Sequence, residues 1–287
     1  MKKILVLTDF SENAIAAEKY ALQLAMQATA DIILYNAYPH RARNISGNVV
    51  WPHDEPEPTF ELQSISNLRS RVSELNHGRL SKMSDTAYKP SIDFLENEGG
   101  LTDKLNVVMT ENSIWLLVMG TKGESFARNV LFGSNVYKVL EEINQPVLII
   151  PKNVEYKNLK EIAYATDLKS SDLKIIEWLY ELAKTLEIKL SIVHVSSDIA
   201  ADKEKGISKE QEKLYQEKFP GLSIQLYEGE NVQDSLHKIA EQIDVSILAL
   251  MHRKYGFFEI LFHQSTSHKM IRHTEIPILI FPDSNKQ

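Results

Sequence analysis

The sequence contains no cysteine and no long apolar run. The first absence excludes disulfides, thiolate metal ligands and a cysteine nucleophile. The second excludes a membrane-spanning helix, which needs about 20 predominantly apolar residues. Near the start of the chain, the apolar run Ile4–Leu7 is too short for the core of a secretion signal. We therefore expect a cytoplasmic protein without a membrane partner.

An excess of basic residues is also missing. Lysine and arginine number 32 against 39 aspartates and glutamates, so the net charge is −7. A broad nucleic-acid-binding surface is normally basic, and we therefore expect no nucleic-acid partner. A small local pocket for a phosphate group is compatible with this charge.

Two halves of the chain resemble each other. The segment Ile4–Asp9 returns as Ile162–Asp167, 158 positions later. Near the end of each copy, Pro146–Pro151 returns as Pro277–Pro282, but here the offset is only 131 positions. The smaller offset means that the first copy contains a stretch that the second copy lacks.

The additional stretch is Arg41–Thr59, which contains three prolines and shows no apolar periodicity. This composition is typical of a loop, and loops of this length are usually functional or disordered. We predict two domains of one fold, residues 1–151 and 158–283, joined by a short polar linker. The first domain would carry the loop as a lid over a ligand site.

Short apolar runs alternate with longer amphipathic segments in both copies, which is typical of a parallel sheet with helices on both faces. We predict strands near residues 3–8, 31–37, 91–95, 114–119, 146–150, 161–166, 188–195, 222–227, 245–250 and 277–281. Helices are predicted near residues 12–28, 60–82, 101–111 and 134–144 of the first copy. Right-handed crossovers then give two doubly wound, Rossmann-like α/β domains in tandem. Their ligands would bind beyond the carboxyl ends of the strands, where the strand order reverses.

A glycine-rich segment follows the fourth strand of the first copy. It reads Met119-Gly120-Thr-Lys-Gly123, then nine residues, then Gly133-Ser134 at a predicted helix start. Phosphate oxygens must approach main-chain N–H groups closely, and a Cβ atom would obstruct that approach. The helix start adds free N–H donors and the favourable end of the helix dipole. The segment is therefore a candidate phosphate-binding loop.

The spacing G-x2-G-x9-G-S resembles the nucleotide signature of the universal stress protein family. Thr8-Asp9-Phe10-Ser11 and Pro146–Pro151 resemble further segments of that family, and the resemblance covers both copies. It implies ATP or another adenine nucleotide as the ligand. The implied site residues are Thr8 and Asp9 beside adenine and ribose, Ala37 at adenine, Met119 and Gly120 at the ribose and first phosphate, and Gly123, Gly133, Ser134 and Asn135 around the other phosphates.

Val136, the next residue of this implied site, departs from the family pattern, because ATP-binding relatives often have serine or threonine there. The missing hydroxyl weakens the expectation of a bound terminal phosphate and of an accompanying magnesium ion. The second copy departs further. At the 131-residue offset, its larger residues replace the three glycines of the loop: Met251, Lys254 and Gln264. We expect these side chains to point where phosphate would enter, so that one nucleotide binds per chain.

The helix predicted near residues 60–82 mixes charges of both signs. It contains arginines and glutamates: Arg69, Arg71, Arg79, Glu61 and Glu74. Mixed charges of this kind are typical of a solvated helix face, so we expect an exposed face here. The histidines of the second copy lack the H-x-x-x-H spacing of a helical metal site, and we expect no metal ligands.

Three functions are compatible with these patterns. The first is a nucleotide-dependent regulator or sensor in a stress response, which binds an adenine nucleotide without dedicated turnover. The absence of a matched nucleophile, base and orienting group near the glycine loop favours it. The second is a weak enzyme that hydrolyses ATP or transfers phosphate or adenylate. The third is a ligand-free scaffold that presents a surface to an unidentified regulatory protein.

The last strands of the two copies are apolar and bounded by proline, which limits how far a strand can pair. In the family that the chain resembles, separate domains usually pair through these strands. An apolar strand at a sheet edge would otherwise promote aggregation, and a short linker raises the effective concentration of its partner. We therefore predict that the two copies pair within one chain, in a pseudo-two-fold arrangement. A homodimer of whole chains is a further expectation.

The lid hypothesis predicts that a bound nucleotide lowers the protease sensitivity of Arg41–Thr59. Limited proteolysis with and without ATP, with fragments identified by mass spectrometry, measures this directly. Equal cleavage rates in the two samples would contradict the hypothesis.

Overall fold

The computed structural model describes residues 1–39, 60–81, 88–121, 134–157, 159–166, 173–196, 215–229, 235, 239, 244–252 and 276–282. The strands in this part of the chain are β1 (Lys2–Leu7), β2 (Ala30–Tyr38), β3 (Ile92–Glu98), β4 (Ile114–Gly120), β5 (Val147–Ile150), β6 (Glu161–Ala165), β7 (Lys189–Ser196), β8 (Ser223–Glu228), β9 (Ile247–His252) and β10 (Ile278–Pro282). The helices are α1 (Glu12–Ala28), α2 (Phe60–Ser81), α3 (Leu105–Glu111), α4 (Ser134–Glu142) and α5 (Leu173–Leu186). Among these helices, none is both long enough and apolar enough to cross a membrane.

All ten described strands form one sheet, in the order β3-β2-β1-β4-β5-β10-β9-β6-β7-β8. Neighbouring strands run parallel within each half, whereas β5 and β10 run antiparallel where the halves meet. The predicted doubly wound α/β fold is therefore confirmed in both halves. The predicted pairing of the two final strands within one chain is confirmed as well.

Proline limits the ladder between β5 and β10 at both ends. Three residue pairs form it, from Ile278 opposite Ile149 to Ile280 opposite Val147. If the same register continued, Phe281 would lie opposite Pro146, and Pro277 would lie opposite Ile150. Proline has no main-chain N–H, so neither of these pairs can complete its hydrogen bonds. The short ladder is thus a consequence of the sequence on either side of each strand.

The backbone repeats the internal symmetry of the sequence. The residues with a left-handed backbone include Thr29 and Glu187, with φ of 53° and 56°, which are 158 positions apart. Another pair, 131 positions apart, is Ser113 and Asp244, with φ of 52° and 51°. Both pairs end a helix or precede a strand at the same point of the two halves. The two copies therefore share local geometry as well as strand order.

Local signals explain the bounds of α1. The side chain of Ser11 accepts a hydrogen bond from the N–H of Ala14 at 3.3 Å, which satisfies a free donor of the first turn. At the other end, Thr29 adopts the left-handed conformation and its N–H bonds the carbonyl of Ala25. The buried face of α1 is rich in alanine, including Ala17, Ala21 and Ala25. Such small side chains let the helix lie close to the sheet.

Two large apolar clusters cover the two faces of the sheet. One contains residues of α1, α2 and α5 together with alternate residues of strands from both halves, such as Leu148 and Leu279. The other contains residues of α3 and α4, with Ile149 and Ile280 from the same two strands. Since successive strand residues face opposite sides, the β5–β10 pair contributes to both clusters and makes each continuous across the halves.

Aromatic side chains add contacts between the halves. Trp115 of β4 stacks on Trp178 of α5 across the halves, with ring centroids 5.0 Å apart, and within the second half Trp178 meets the ring of Phe281 edge-on at 5.3 Å. On the segment that links the halves, Tyr156 packs edge-on against Tyr20 of α1 at 4.9 Å. Aromatic pairs of this geometry contribute about 0.5–1.5 kcal/mol each beyond burial. The two halves are thereby joined by side chains as well as by the sheet.

Separating the halves should expose the apolar edge strand β5. We expect a fragment of residues 1–157 to self-associate or precipitate, because Val147–Ile150 would offer unpaired main-chain groups beside buried apolar side chains. Sedimentation velocity of the fragment measures this. Adding the complementary fragment, residues 158–287, should reduce the association by restoring the pairing with β10. A stably monomeric first fragment would contradict the importance of this contact.

Candidate functional site

The strand order of the first half reverses beside β1. The chain places β2 and β3 on one side of β1 and then returns to place β4 and β5 on the other side. In the register between the central strands, Val6 lies opposite Val118, so the residues after β1 are level with the end of β4. The crevice beyond such a reversal is where doubly wound sheets bind ligands. Of the residues predicted for the site, those from β1, β2 and β4 meet at this edge.

A tight turn, Thr8–Ser11, connects β1 to α1 at the crevice. Phe10 has a φ of 65°, a left-handed conformation that is rare for a bulky residue. Its N–H donates to the hydroxyl of Thr8 at 3.2 Å, and the N–H of Ser11 donates to Oδ1 of Asp9 at 3.1 Å. The carboxylate of Asp9 is exposed. The turn therefore presents an acidic acceptor at the rim of the crevice.

The side chain of Thr8 faces inward, away from the rim. Its hydroxyl donates to Oε1 of Glu18 at 2.6 Å, and the residue is buried. The carbonyl of Thr8 accepts from Nδ2 of Asn36 at 2.7 Å, and Asn36 in turn accepts from the hydroxyl of Ser64 on α2 at 2.7 Å. The described contacts thus give Thr8 the role of supporting the turn from beneath.

Arg71 lies in this same buried layer, so the expectation of a solvated position on α2 is wrong for this residue. Its Nε donates to Oε2 of Glu18 at 2.7 Å, and its Nη1 contacts the carboxylate of Glu74. Side-chain exposure is 9% for Arg71 and 0% for Glu18. The charges along α2 do not predict this burial, because the carboxylate that pairs with Arg71 belongs to Glu18 on another helix.

Burial raises the pKa of Glu18 above that of an ordinary glutamate, while the hydrogen bond from Thr8 and the charge of Arg71 act in the opposite direction. The two hydrogen-bond donors indicate which protonation state of Glu18 the site accommodates. One oxygen accepts from Thr8 and the other from Arg71, which is the arrangement of an ionised carboxylate. At Glu18, the hydrogen bonds from Thr8 and Arg71 therefore oppose the effect of burial on the pKa of the carboxyl group.

The main chain of Ala37 points into the crevice. In a strand, the N–H and carbonyl of alternate residues point to the same side, and the carbonyl of Tyr35 accepts from the N–H of Thr8 on the β1 side. Ala37 lies two residues after Tyr35, so its N–H and carbonyl point to the same side. Strand β1 ends opposite Tyr35, and these groups of Ala37 therefore lie beyond the end of β1. This edge can pair with the edge of a planar heterocycle.

Gly120 has a packing role that the sequence reasoning missed. A Cβ atom built on it would lie 2.8 Å from the carbonyl oxygen of Asn13, in the first turn of α1. The direction follows from strand alternation, since Leu116 and Val118 face the cluster that includes α1. The sequence analysis explained this glycine by the approach of a phosphate group. The structure gives a different reason, which is that α1 packs closely against the end of β4.

The remaining predicted residues surround the start of α4. Ser134 and Asn135 occupy its first turn and are exposed, whereas Val136 is buried at 1% exposure in the cluster on the α3–α4 face. Met119 packs in the same cluster, so its side chain is part of the floor. Gly123 and Gly133 lie outside the described residues.

The second half keeps the backbone of the site and changes its side chains. The N–H of Thr166 bonds the carbonyl of Val193 at 3.0 Å, as Thr8 bonds Tyr35 in the first half. Met251, in the position of Gly120, is buried in the cluster on the α1, α2 and α5 face. That face is opposite to the one on which α4 lies in the first half, where the start of α4 carries the candidate phosphate donors. Lys254 and Gln264 are outside the described residues.

Comparison with known proteins agrees with this geometry. The model of the universal stress protein family matches the chain twice, over residues 1–151 and 158–282. The chain belongs to the universal stress protein family. The resemblance seen in the sequence is thereby confirmed, and the two matches correspond to tandem universal stress domains.

Individual relatives extend over almost the whole chain. Universal stress protein Slr1230 from Synechocystis sp. (strain ATCC 27184 / PCC 6803 / Kazusa) is 24% identical over 299 residues, covering 98% of this chain and all of the relative. The crystal structure of a universal stress protein from Archaeoglobus fulgidus DSM 4304 superposes with a TM-score of 0.64 at 16% identity, and 98% of each chain is covered.

A further likeness shows that this tandem fold also occurs elsewhere. The cytoplasmic domain of a prokaryotic cation chloride cotransporter matches with a TM-score of 0.53 at 9% identity, covering all of this chain and 97% of the other. At such identity the likeness concerns the fold alone. A function for this universal stress protein therefore has to be argued from its site.

The packing role of Gly120 gives a stability prediction. We expect Gly120→Ala to lower the free energy of unfolding by about 1–3 kcal/mol, because the new methyl group overlaps the main chain of α1. Urea denaturation followed by circular dichroism measures the loss. The matched control is Gly78→Ala on α2, where a Cβ meets nothing within 4 Å. That change should stabilise by about 0.5–1 kcal/mol, as alanine replaces glycine inside a helix. Equal effects of both changes would contradict the packing role.

Proposed function

We propose that this universal stress protein binds ATP or a related adenine nucleotide in the crevice of its first half, and acts as a nucleotide-dependent regulator or sensor. One observation carries the proposal. The carboxyl ends of β1, β2 and β4 converge where the strand order reverses, and the exposed start of α4 follows the glycine-rich segment of the sequence.

The base and the sugar would be recognised at the β1–β2 side of the crevice. The N–H and carbonyl of Ala37 offer one donor and one acceptor, which complement a ring nitrogen and the exocyclic amino group of adenine. The carboxylate of Asp9 uses one oxygen for the N–H of Ser11. Its exposed position suits acceptance from ribose hydroxyls. The apolar floor beneath them includes Leu7 and Met119.

The phosphates would lie toward α4. Ser134 and Asn135 combine side-chain donors with main-chain N–H groups of a first helical turn, which favour an anion. Gly123 and Gly133 are assigned to the same loop from their spacing in the sequence. Val136 is buried and apolar, so this position offers no hydroxyl to a terminal phosphate or to a magnesium ion.

The described crevice contains few groups suited to chemistry. The hydroxyl of Thr8 is held by Glu18, and Asp9 stands exposed at the rim. Thr8 and Glu18 are both buried, and the hydroxyl faces away from the rim, so this pair does not present a nucleophile with an adjacent general base to a ligand, as covalent catalysis requires. Binding that changes the protein's interactions is accordingly the function that we favour over turnover.

Calorimetric titration with ATP tests the proposal and its stoichiometry. We expect one site per chain, and Ser134→Ala should weaken binding about fivefold to tenfold by removing one donor to the phosphates. The matched control is Ser265→Ala, which removes the serine at the corresponding position of the second copy and should leave affinity unchanged. Two equivalent sites, or equal losses in both variants, would contradict a site in the first half.

Mass spectrometry of gently purified protein supplies an independent test. We expect an adenine nucleotide to co-purify with the wild-type chain and to be lost on Gly133→Val, whose branched side chain would fill the space for phosphate. Phosphate release measured with the same protein separates binding from hydrolysis. Turnover that Ser134→Ala abolishes would replace the regulatory proposal with an enzymatic one.

A further inference from the structure

The first half contains a buried ion pair that lies outside the nucleotide contacts proposed above. Glu18 of α1 and Arg71 of α2 meet at 2.7 Å, with the carboxylate fully buried. Removing two charges from water is expensive, and such a pair repays the cost only when its other hydrogen bonds are also made. The second oxygen of Glu18 bonds the hydroxyl of Thr8 at 2.6 Å. The pair is therefore attached to the end of β1.

From Thr8 the contacts continue into the turn at the crevice. The hydroxyl that donates to Glu18 also accepts the N–H of Phe10. One hydroxyl group thus bonds both partners, and the bond to Glu18 orients the acceptor that Phe10 uses. The left-handed conformation of Phe10, at a φ of 65°, is strained for a side chain of this size. A turn of this kind persists only where its surroundings hold it.

We propose that the Glu18–Arg71 pair is a positioning device for the ligand-binding turn Thr8–Ser11. Arg71 holds the carboxylate of Glu18, Glu18 orients the hydroxyl of Thr8, and Thr8 holds Phe10 in its left-handed conformation. That conformation places the carboxylate of Asp9 at the rim of the crevice. The inference rests on the proposed nucleotide site and adds Glu18 and Arg71 as residues that act on it without touching the ligand.

The same contacts connect the turn to α2. Arg71 lies on α2, and Ser64, one of the preceding residues of that helix, bonds Asn36, which holds the carbonyl of Thr8. The turn is therefore held to α2 through both its first side chain and its first carbonyl.

Two variants remove single members of this chain of contacts with little change of shape. Thr8→Val deletes the hydroxyl, and Glu18→Gln deletes the charge. We expect each to weaken ATP binding about tenfold, with no larger loss in the double variant, because both break one coupled device. Thr8→Ser keeps the hydroxyl and should retain affinity. Ile176→Val, on the buried face of α5, is the control for a modest loss of stability and should bind ATP normally.

A second readout does not need a ligand. Hydrogen exchange at the amide of Phe10, measured by NMR on the free protein, should be slow in the wild type and in Ile176→Val. It should be at least tenfold faster in Thr8→Val and Glu18→Gln, because the acceptor of that amide is removed or turned away.

The outcomes separate the two proposals. Normal ATP affinity in both Thr8→Val and Glu18→Gln would overturn the positioning role in binding. A wild-type chain that binds no ATP would overturn the proposed function instead, and the exchange measurement then decides the positioning of the turn alone. Unchanged hydrogen exchange at Phe10 in both variants would overturn the positioning role of the Glu18–Arg71 pair, and accelerated exchange would support it.

Discussion

The antiparallel contact between β5 and β10 is the constraint on which the rest of the structure depends. Each half has a parallel sheet whose last strand is apolar on both faces, and neither half can bury that strand by itself. Pairing completes the main-chain hydrogen bonds and makes both apolar clusters continuous. Because the halves run in opposite directions, their carboxyl edges, and thus their two crevices, lie at opposite ends of the common sheet. A ligand in one crevice therefore does not contact the other crevice.

The two halves differ in side chains and share backbone geometry. The left-handed residues and the bonds after β1 and β6 recur in both halves, because sheet and helix ends impose the same geometry on each. At the end of β4, however, the carbonyl of Asn13 leaves room for glycine alone, whereas Met251 of β9 contributes its side chain to the core. In the first half, the start of α1 thus approaches the end of β4 closely at the candidate site. Its glycine serves the packing that shapes the crevice.

The buried charges beneath the crevice show how a fold can hold a strained turn. An ion pair in an apolar core contributes little net stability, but the loss of either member leaves an uncompensated charge. Glu18 and Arg71 therefore constrain each other, and through Thr8 they constrain the residues that face solvent. The apolar cluster on this face of the sheet includes residues of the same two helices, such as Leu24 of α1 and Leu68 of α2. This apolar setting strengthens the hydrogen bonds within it by excluding water.

The sequence by itself determined the repeat, the order of helices and strands, the family and the pairing of the final strands. These features depend on periodicity, proline and glycine, which act within a few residues along the chain. Only the tertiary structure decided that Arg71 is buried, that Thr8 faces Glu18 and that Gly120 meets Asn13. Arg71 and Glu18 are 53 positions apart, and a charged residue on a helix looks the same in the sequence whether water or a distant carboxylate is its partner. Burial of charge depends on which elements pack together, and that follows from the sheet order and the helix faces.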